Sequence, residues 1–304
     1  MKTNFFEILK KSQDDLMQYV ICRLEENGYA DELYITPDYV YARGNIPVLL
    51  VAHLDTVHDK LPTIYCDKKQ GVIWSPQGIG GDDRCGVYGI LKITEKYKPY
   101  VLFTTDEEVG GTGATAFTQD VTPELVDVNF AIEIDRRGFN QAVFYKCGNE
   151  DFKKMILSYG FNEENGTFTD ISIIAPKYNI AAVNLSAGYY NEHTCHEYIN
   201  INDLRHTIHM IECILKSNVV NNYYEFKEKI YNYQVSTFKD IKNDDIKTKA
   251  DIIDNCTDQF SKNQYINKIE DWYDMDADEW KTVYGTDKPK RVDELYDDYY
   301  AYYD

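Results

Sequence analysis

The sequence predicts an α/β fold of three layers, with helices on both faces of a central mixed, largely parallel sheet. Apolar runs too short for a helix recur at residues 46–52 (IPVLLVA), 100–105 (YVLFTT) and 128–134 (VNFAIEI), the pattern of strands buried on both faces. Between and after them come stretches with helical spacing, such as Val87, Ile90, Leu91 and Ile93, or Leu204, Ile208, Ile211 and Leu215. Strand alternating with helix is the signature of a parallel sheet covered by its own crossovers.

Taken in order, residues 4–27 read as one or two amphipathic helices, with Ser12 and Asp15 spaced as a capping box and Leu16, Tyr19, Val20 and Leu24 on one face. Residues 32–43 follow as a strand pair turning at Pro37-Asp38. The first long strand, 46–52, leads to a glycine-rich turn, GIGGDDRCG at 78–86, which opens the helix carrying Val87 and Ile90. Beyond the strands at 100–105 and 128–134 come a strand at 142–146, a helix at 151–159, and a helix start at Thr169-Asp170. A strand at 180–185, the small turn Ser186-Ala187-Gly188 and a helix from Asn202 close a domain spanning residues 1–217.

After residue 217 the character changes. Acids outnumber bases, tyrosine is dense, and the chain ends DELYDDYYAYYD. Residues 218–304 read as a helical extension, in which Phe226, Phe238, Phe260, Ile269, Trp272 and Trp280 pack together or against the first domain. The competing reading is an acidic segment that folds on a protein partner.

Composition limits the function. The 304 residues carry a formal net charge of −19 and are 43% hydrophobic, enough for one sizeable α/β core and a smaller appendage. Such an acidic chain is a poor ligand for nucleic acid or an anionic membrane surface. Its seven cysteines are scattered and include no CxxC pair, which speaks against a disulfide framework and for a reducing cytoplasm. The N-terminal stretch is too charged for a signal peptide, and no apolar run is long enough to span a bilayer.

The chemistry lies where the strands end. His53-Leu54-Asp55 follows the first strand, Asp106-Glu107-Glu108 the second and Asp135 the third, while Asp82 enters from the glycine-rich turn and His193 from the stretch after the last strand. Open α/β sheets gather their sites beyond the carboxyl ends of the strands, so residues far apart in sequence converge. His53 and Asp55, two apart on an extended chain, point the same way; one can bind a metal while the other holds its ring. GGDD alone is weak, since ordinary turns are rich in Asp and Gly.

The ordered set HLDTV, GGDDR, TDEEVGGTGA, EIDRRG and NEHT, over about residues 46–216, resembles the co-catalytic zinc exopeptidase clan that includes the M20, M28 and M42 metallopeptidase families. The resemblance implies that His53 and Asp135 hold one metal, Glu108 and His193 hold a second, and Asp82 bridges them. It implies Glu107 as general base, Asp55 as the catalytic partner of His53, and a cis peptide bond after Asp82. Two divalent ions about 3.5–4 Å apart polarise the scissile carbonyl and activate water near neutral pH. Mixed His and carboxylate ligation suits zinc, with manganese or cobalt fitting the same shell.

His196 competes with His193 for the second site. The family pattern, a His before Ser or Thr after an apolar strand and a small turn, favours His193. His58, Asp59 and Cys195 read as bystanders. The stretch between Asp135 and His193 is too short for the complete lid or dimerisation domain common in one branch of the clan, which implies a single compact catalytic domain. Arg136 and Arg137 could clamp a substrate carboxylate bidentately or balance the local acids. The Tyr189-Tyr190 pair, Tyr190 above all, could line a specificity pocket or simply pack, and Thr169-Asp170 could contact a substrate amine or cap a helix. The expected activity is hydrolysis of small peptides by an aminopeptidase or dipeptidase. The alternatives are a deacylase of N-acyl amino acids and a catalytically silent peptide- or protein-binding module.

Overall fold

The computed structural model describes residues 2–228; the apolar residues assigned to the extension beyond that point, Phe238, Phe260, Ile269, Trp272 and Trp280, lie outside the described residues. Two helices open the chain, α1 (Phe5–Leu9) and α2 (Gln13–Leu24). The Ser12 hydroxyl accepts the Asp15 backbone N–H, and Leu16, Val20 and Leu24 are buried on one face. The pair β1 (Leu33–Ile35) and β2 (Tyr39–Ala42) turns at Pro37-Asp38. The long strand β3 (Ile46–His53) is followed by a short hairpin, β4 (Tyr65–Asp67) and β5 (Val72–Trp74), and then by α3 (Gly81–Thr94).

The later elements alternate as expected: β6 (Pro99–Thr104), α4 (Thr112–Asp120), β7 (Phe130–Arg136), β8 (Gln141–Val143) and α5 (Glu150–Leu157). They continue with β9 (Asn162–Glu164), α6 (Ile171–Tyr178), β10 (Ala182–Ser186), β11 (Tyr189–Tyr190), β12 (Tyr198–Asn200) and α7 (Ile201–Lys216). The main sheet has the order β1-β2-β6-β3-β7-β10-β8-β9. Its centre, β6-β3-β7-β10, is parallel throughout, while antiparallel pairing enters at β2 and β8. This is the mixed, largely parallel sheet that the sequence predicts.

Side-chain alternation along β3 divides the core. Val48, Leu50 and Ala52 pack with residues of α1, α2, α3, α5 and α7, whereas Leu49 and Val51 pack with those of α4 and α6. Both faces of the strand are thus dry, which explains why it reads as an unbroken apolar run. α3 lies so close to β7 that a Cβ on Gly86 would stand 2.2 Å from the Ile134 carbonyl oxygen. Only glycine lets the helix settle there, directly behind the strand that carries Asp135.

The sequence does not announce a second sheet, ordered β11-β12-β5-β4 and antiparallel throughout. It matters because the connection between β11 and β12 carries His193. The packed chain also runs past residue 217, the boundary expected for the domain: Val220 is buried, Tyr224 and Phe226 pack on the core, and the Ala181 N–H donates to the Tyr224 carbonyl at 2.7 Å. Between Asp135 and His193 the chain forms β8 to β10 with α5 and α6, all part of the one α/β unit. Among the described residues six cysteines carry free thiols, and no helix is long and apolar enough to cross a membrane.

Candidate functional site

The carboxyl ends of β3, β6 and β7 meet the start of α3 and the β11–β12 connection at one edge of the sheet. His53, the last residue of β3, is 1% exposed. Its Nδ1 lies 3.0 Å from Asp55 Oδ1, so that nitrogen donates to the carboxylate and Nε2 faces inward. Nε2 stands 3.0 Å from Asp82 Oδ1 and 3.5 Å from Asp135 Oδ1. Across the site His193 Nε2 lies 3.2 Å from the other Asp82 oxygen, Oδ2, and 2.9 Å from Glu108 Oε1. Two imidazoles therefore converge on opposite oxygens of a single carboxylate, each with a second acid beside it.

Lone pairs facing lone pairs at such distances need a cation between them, either a proton or a metal. The donor set of two His nitrogens and three carboxylates suits zinc, so the five residues fit the metal pair that the resemblance implies. His53 with Asp82 and Glu108 offers ligand atoms all within 4.8 Å of one another, and so does His53 with Asp83 and Asp135. Asp83 is the less suited of the two adjacent acids, because its Oδ1 accepts the Gly86 N–H at 3.0 Å and its carboxyl lies under that glycine. The Asp82-Asp83 peptide bond is cis, as the resemblance implies. Neither acid has helical backbone angles, so α3 coils regularly only after them.

Asp55 does more than hold the His53 ring. Its two oxygens accept the backbone N–H groups of Glu107 and Glu108 at 3.1 and 3.0 Å, fixing the turn after β6. Glu107 is half-buried and forms no ion pair with either imidazole, which leaves its carboxyl free of the His–acid contacts. Burial, with Asp135, Asp170 and Glu108 close by, pushes its carboxyl up to about 8. Glu108 rises to about 7 through burial and the neighbouring Asp82. Burial would also raise Asp82, but His193 and His53 outweigh it and hold that carboxyl below the ordinary range. The hydrogen bond to Asp82 lifts His193 to about 9.

Several residues that support this site escaped the sequence reading. Asp135 is held by the Tyr189 hydroxyl on Oδ1 at 3.1 Å and by the Thr169 hydroxyl on Oδ2 at 3.0 Å, while its backbone N–H donates to Asn184. Glu197 is 1% exposed; its Oε1 accepts the Asp82 N–H at 2.9 Å, and its Oε2 accepts the Gly80 N–H at 2.9 Å. The same Oε2 lies 2.8 Å from His58 Nε2, so His58, expected to be a bystander, is tied to this strut. Glu197 joins the connection bearing His193 to the turn bearing Asp82. His193 itself sits at φ 63°, a left-handed conformation uncommon outside glycine and concentrated at functional sites.

Of the three residues proposed for substrate, Arg137 and Tyr190 are engaged elsewhere, while Arg136 keeps a buried Nε without a hydrogen-bond partner. Arg137 pairs with Glu192 at 2.7 Å, and Arg136 donates to the Asn165 carbonyl at 3.3 Å. Tyr190 donates to Asp203 at 2.6 Å and stacks on Tyr198 at 4.9 Å. In the two-residue strand β11 it is Tyr189, its neighbour, that turns to the site. Asp170 is fully buried, with Oδ2 accepting from the Thr104 hydroxyl and Oδ1 without a partner. His196 makes no side-chain contact with the acids, which favours His193 as the site histidine.

No protein-family model matches the sequence, and no curated protein matches it either. Solved structures do share the fold. Aminopeptidase PepT from Bacillus cereus superposes with a TM-score of 0.54 at 13% identity, covering 69% of this chain and 96% of that one. A tripeptidase from Staphylococcus aureus gives 0.52 at 16% identity, covering 70% and 97%. The likeness is one of fold, and that fold is the exopeptidase type expected from the ordered motifs.

Proposed function

We propose that this chain is a metal-dependent hydrolase of peptide bonds in short peptides, acting as an aminopeptidase or dipeptidase. The observation that carries the reading is the approach of His53 Nε2 and His193 Nε2 to the two oxygens of Asp82, at 3.0 and 3.2 Å. One carboxylate shared by two imidazoles is the core of a two-cation site. His53 and Asp135 would hold one ion, His193 and Glu108 the other, with Asp82 between them. When bound, a pair of divalent ions, zinc fitting the donor set, supplies Lewis acidity to the scissile carbonyl and a water nucleophile at neutral pH.

The remaining chemistry belongs to the side chains. Glu107 takes the proton of the attacking water and delivers it to the leaving amine, the ordinary work of a carboxylate general acid/base. Asp55 keeps His53 in the Nδ1–H tautomer while anchoring the backbone of Glu107, so ligand and base are positioned by one residue. Tyr189, Thr169 and Asn184 orient Asp135 in the same way. An aminopeptidase and a tripeptidase share this fold, which supports short peptides as the substrate class. Free thiols on the described cysteines support a reducing, cytoplasmic setting.

The test is hydrolysis of a mixed set of dipeptides, aminoacyl amides and N-acyl amino acids by metal-loaded protein, with Glu107→Gln as the matched control. The reading expects cleavage of peptides by wild type and loss of about 100-fold or more in the variant, with both ions still bound. Cleavage confined to N-acyl amino acids would convert the assignment to a deacylase. Full activity of Glu107→Gln would remove that residue as base.

A further inference from the structure

A cavity of about 550 Å³ opens beside Glu108 and Asp55, within the roughly 300–1,000 Å³ typical of small-molecule sites. One wall is the turn between α1 and α2, with Leu9 and Lys11; the other is the loop after β3, with Lys60 and Leu61; Arg84 lines its inner side. Resting on the peptidase reading above, we propose that this cavity receives the leaving-group side of the substrate, and that Lys11 and Lys60 read the free carboxylate at its C-terminal end.

Charge supports that direction. Around the two histidines the titratable groups are overwhelmingly acids, and a substrate carboxylate among Glu107, Asp135 and Asp170 would be repelled. The cavity carries its cations at the surface end, where Lys11 and Lys60 line it. Arg84 stands behind them, 4% exposed, donating to the Lys11 carbonyl at 3.0 Å and the Asp55 carbonyl at 3.4 Å, with the acids Glu197, Asp55, Asp83 and Asp82 around it. Neither Lys11 nor Lys60 is held in an ion pair among the described residues; Lys11 rests its ammonium over the Tyr19 ring at 5.1 Å. By contrast Arg137, one of the two arginines expected to clamp a substrate carboxylate, is already paired with Glu192.

The acids facing the cavity are mostly committed. Asp55 is bound by His53 and two backbone N–H groups, Asp106 accepts from Gln13 at 3.3 Å, and Glu108 faces His193; Asp59 stays exposed at the rim. Thr56 and Gln13 line the cavity, and the Gln13 amide donates to Asp106. The apolar members Leu9 and Leu61 would meet the side chain of the leaving residue, which selects short peptides with a free C-terminus.

The experiment compares leucylglycine with its C-terminal amide, by hydrolysis with the metal-loaded wild type and by calorimetric binding to metal-loaded Glu107→Gln. Lys11→Gln/Lys60→Gln is run in parallel, because both residues lie at the surface end of the cavity and their loss spares the buried core. The proposal expects the acid to be preferred about tenfold or more over the amide, mainly through KM, and the ratio to fall toward one in the double variant. Cleavage of acid and amide at equal rates by the wild type would overturn the carboxylate pocket and leave the peptidase reading intact. Preferential binding of the acid with no hydrolysis would keep the pocket and overturn the peptidase reading, and binding of neither would overturn both.

Discussion

Replacing Glu197 with Gln tests whether the site is held by its backbone anchors as much as by its ligands. Glu197 collects three donors in a dry environment: the N–H of Asp82 on Oε1, and the N–H of Gly80 with His58 Nε2 on Oε2. A glutamine keeps one acceptor oxygen and presents an NH2 donor in place of the other. Either the Asp82 N–H or the Gly80 and His58 pair must then lose its acceptor. A hydrogen bond to a charged group contributes about 1.5–3 kcal/mol, and a buried donor left unpaired costs about 1–3 kcal/mol. The expected loss is therefore about 2–4 kcal/mol in denaturant unfolding. Because the Asp82 carboxylate faces both histidines, part of that loss should surface as metal affinity weakened about 10–100-fold, the usual range for groups behind a ligand. The assay is metal titration against a competing chelator, alongside a urea melt. His58→Ala, which removes one of the three donors and no backbone contact, should cost markedly less. Metal affinity of Glu197→Gln within twofold of wild type would refute the strut.

The pH behaviour of the metal-free protein follows from the raised groups. His193, ordinarily near 6.5 and lifted to about 9, contributes stability below pH 6.5 that is lost as pH climbs through 9. Glu107 and Glu108, lifted to about 8 and about 7, bind protons in the native state that the unfolded chain has released, so their cost also grows with rising pH. The metal-free Tm should fall from pH 5 to 9 while metal affinity rises over the same interval; a metal-free Tm that climbs would contradict the charge arrangement. Gly86→Ala should lose several kcal/mol, read by denaturant unfolding, because the added Cβ would meet the Ile134 carbonyl at 2.2 Å and backbone cannot yield there cheaply.

The main sheet was readable because burial on both faces leaves a plain mark, an unbroken branched apolar run such as residues 46–52. The second sheet left none: β11 has two residues and β4, β5 and β12 three each, too few for alternation to show. β9 is Asn162–Glu164 and fully exposed, so its pairing with β8 rests on backbone alone. α4 went unread because it starts after Gly111 with no side-chain cap. The ligand candidates stood out as polar residues where apolar strands end. Their supports did not, since a buried Glu197 beside His196 looks like any polar loop, and only the register of β11 decides that Tyr189 rather than Tyr190 reaches Asp135. Five short motifs in order carried the ligands, whereas the hydrogen bonds that hold them depend on tertiary contacts with no sequence spacing of their own.

The charge arrangement ties stability to function. Glu133 is fully buried with both carboxyl oxygens unpartnered, and Asp170 is buried with one oxygen free. Burial pushes Asp170 up to about 7 and raises Glu133 as well. Together with Glu107, Glu108 and Asp135 they crowd carboxyl groups into one edge of the sheet, so closely that ionising them together is opposed. A scaffold gains nothing from such crowding, since apolar residues of similar size would fill the space without desolvated charge. Two dications would offset it and so stabilise the folded state in proportion to their binding. Those same cations would draw Glu107 down from about 8 toward the working pH, because nearby positive charge favours the ionised form. A carboxylate whose pKa lies near neutrality can both accept the proton of water and return it to the amine. The acids that make the metal-free site costly are thus the ones that, once compensated, would tune Glu107 as the proposed base.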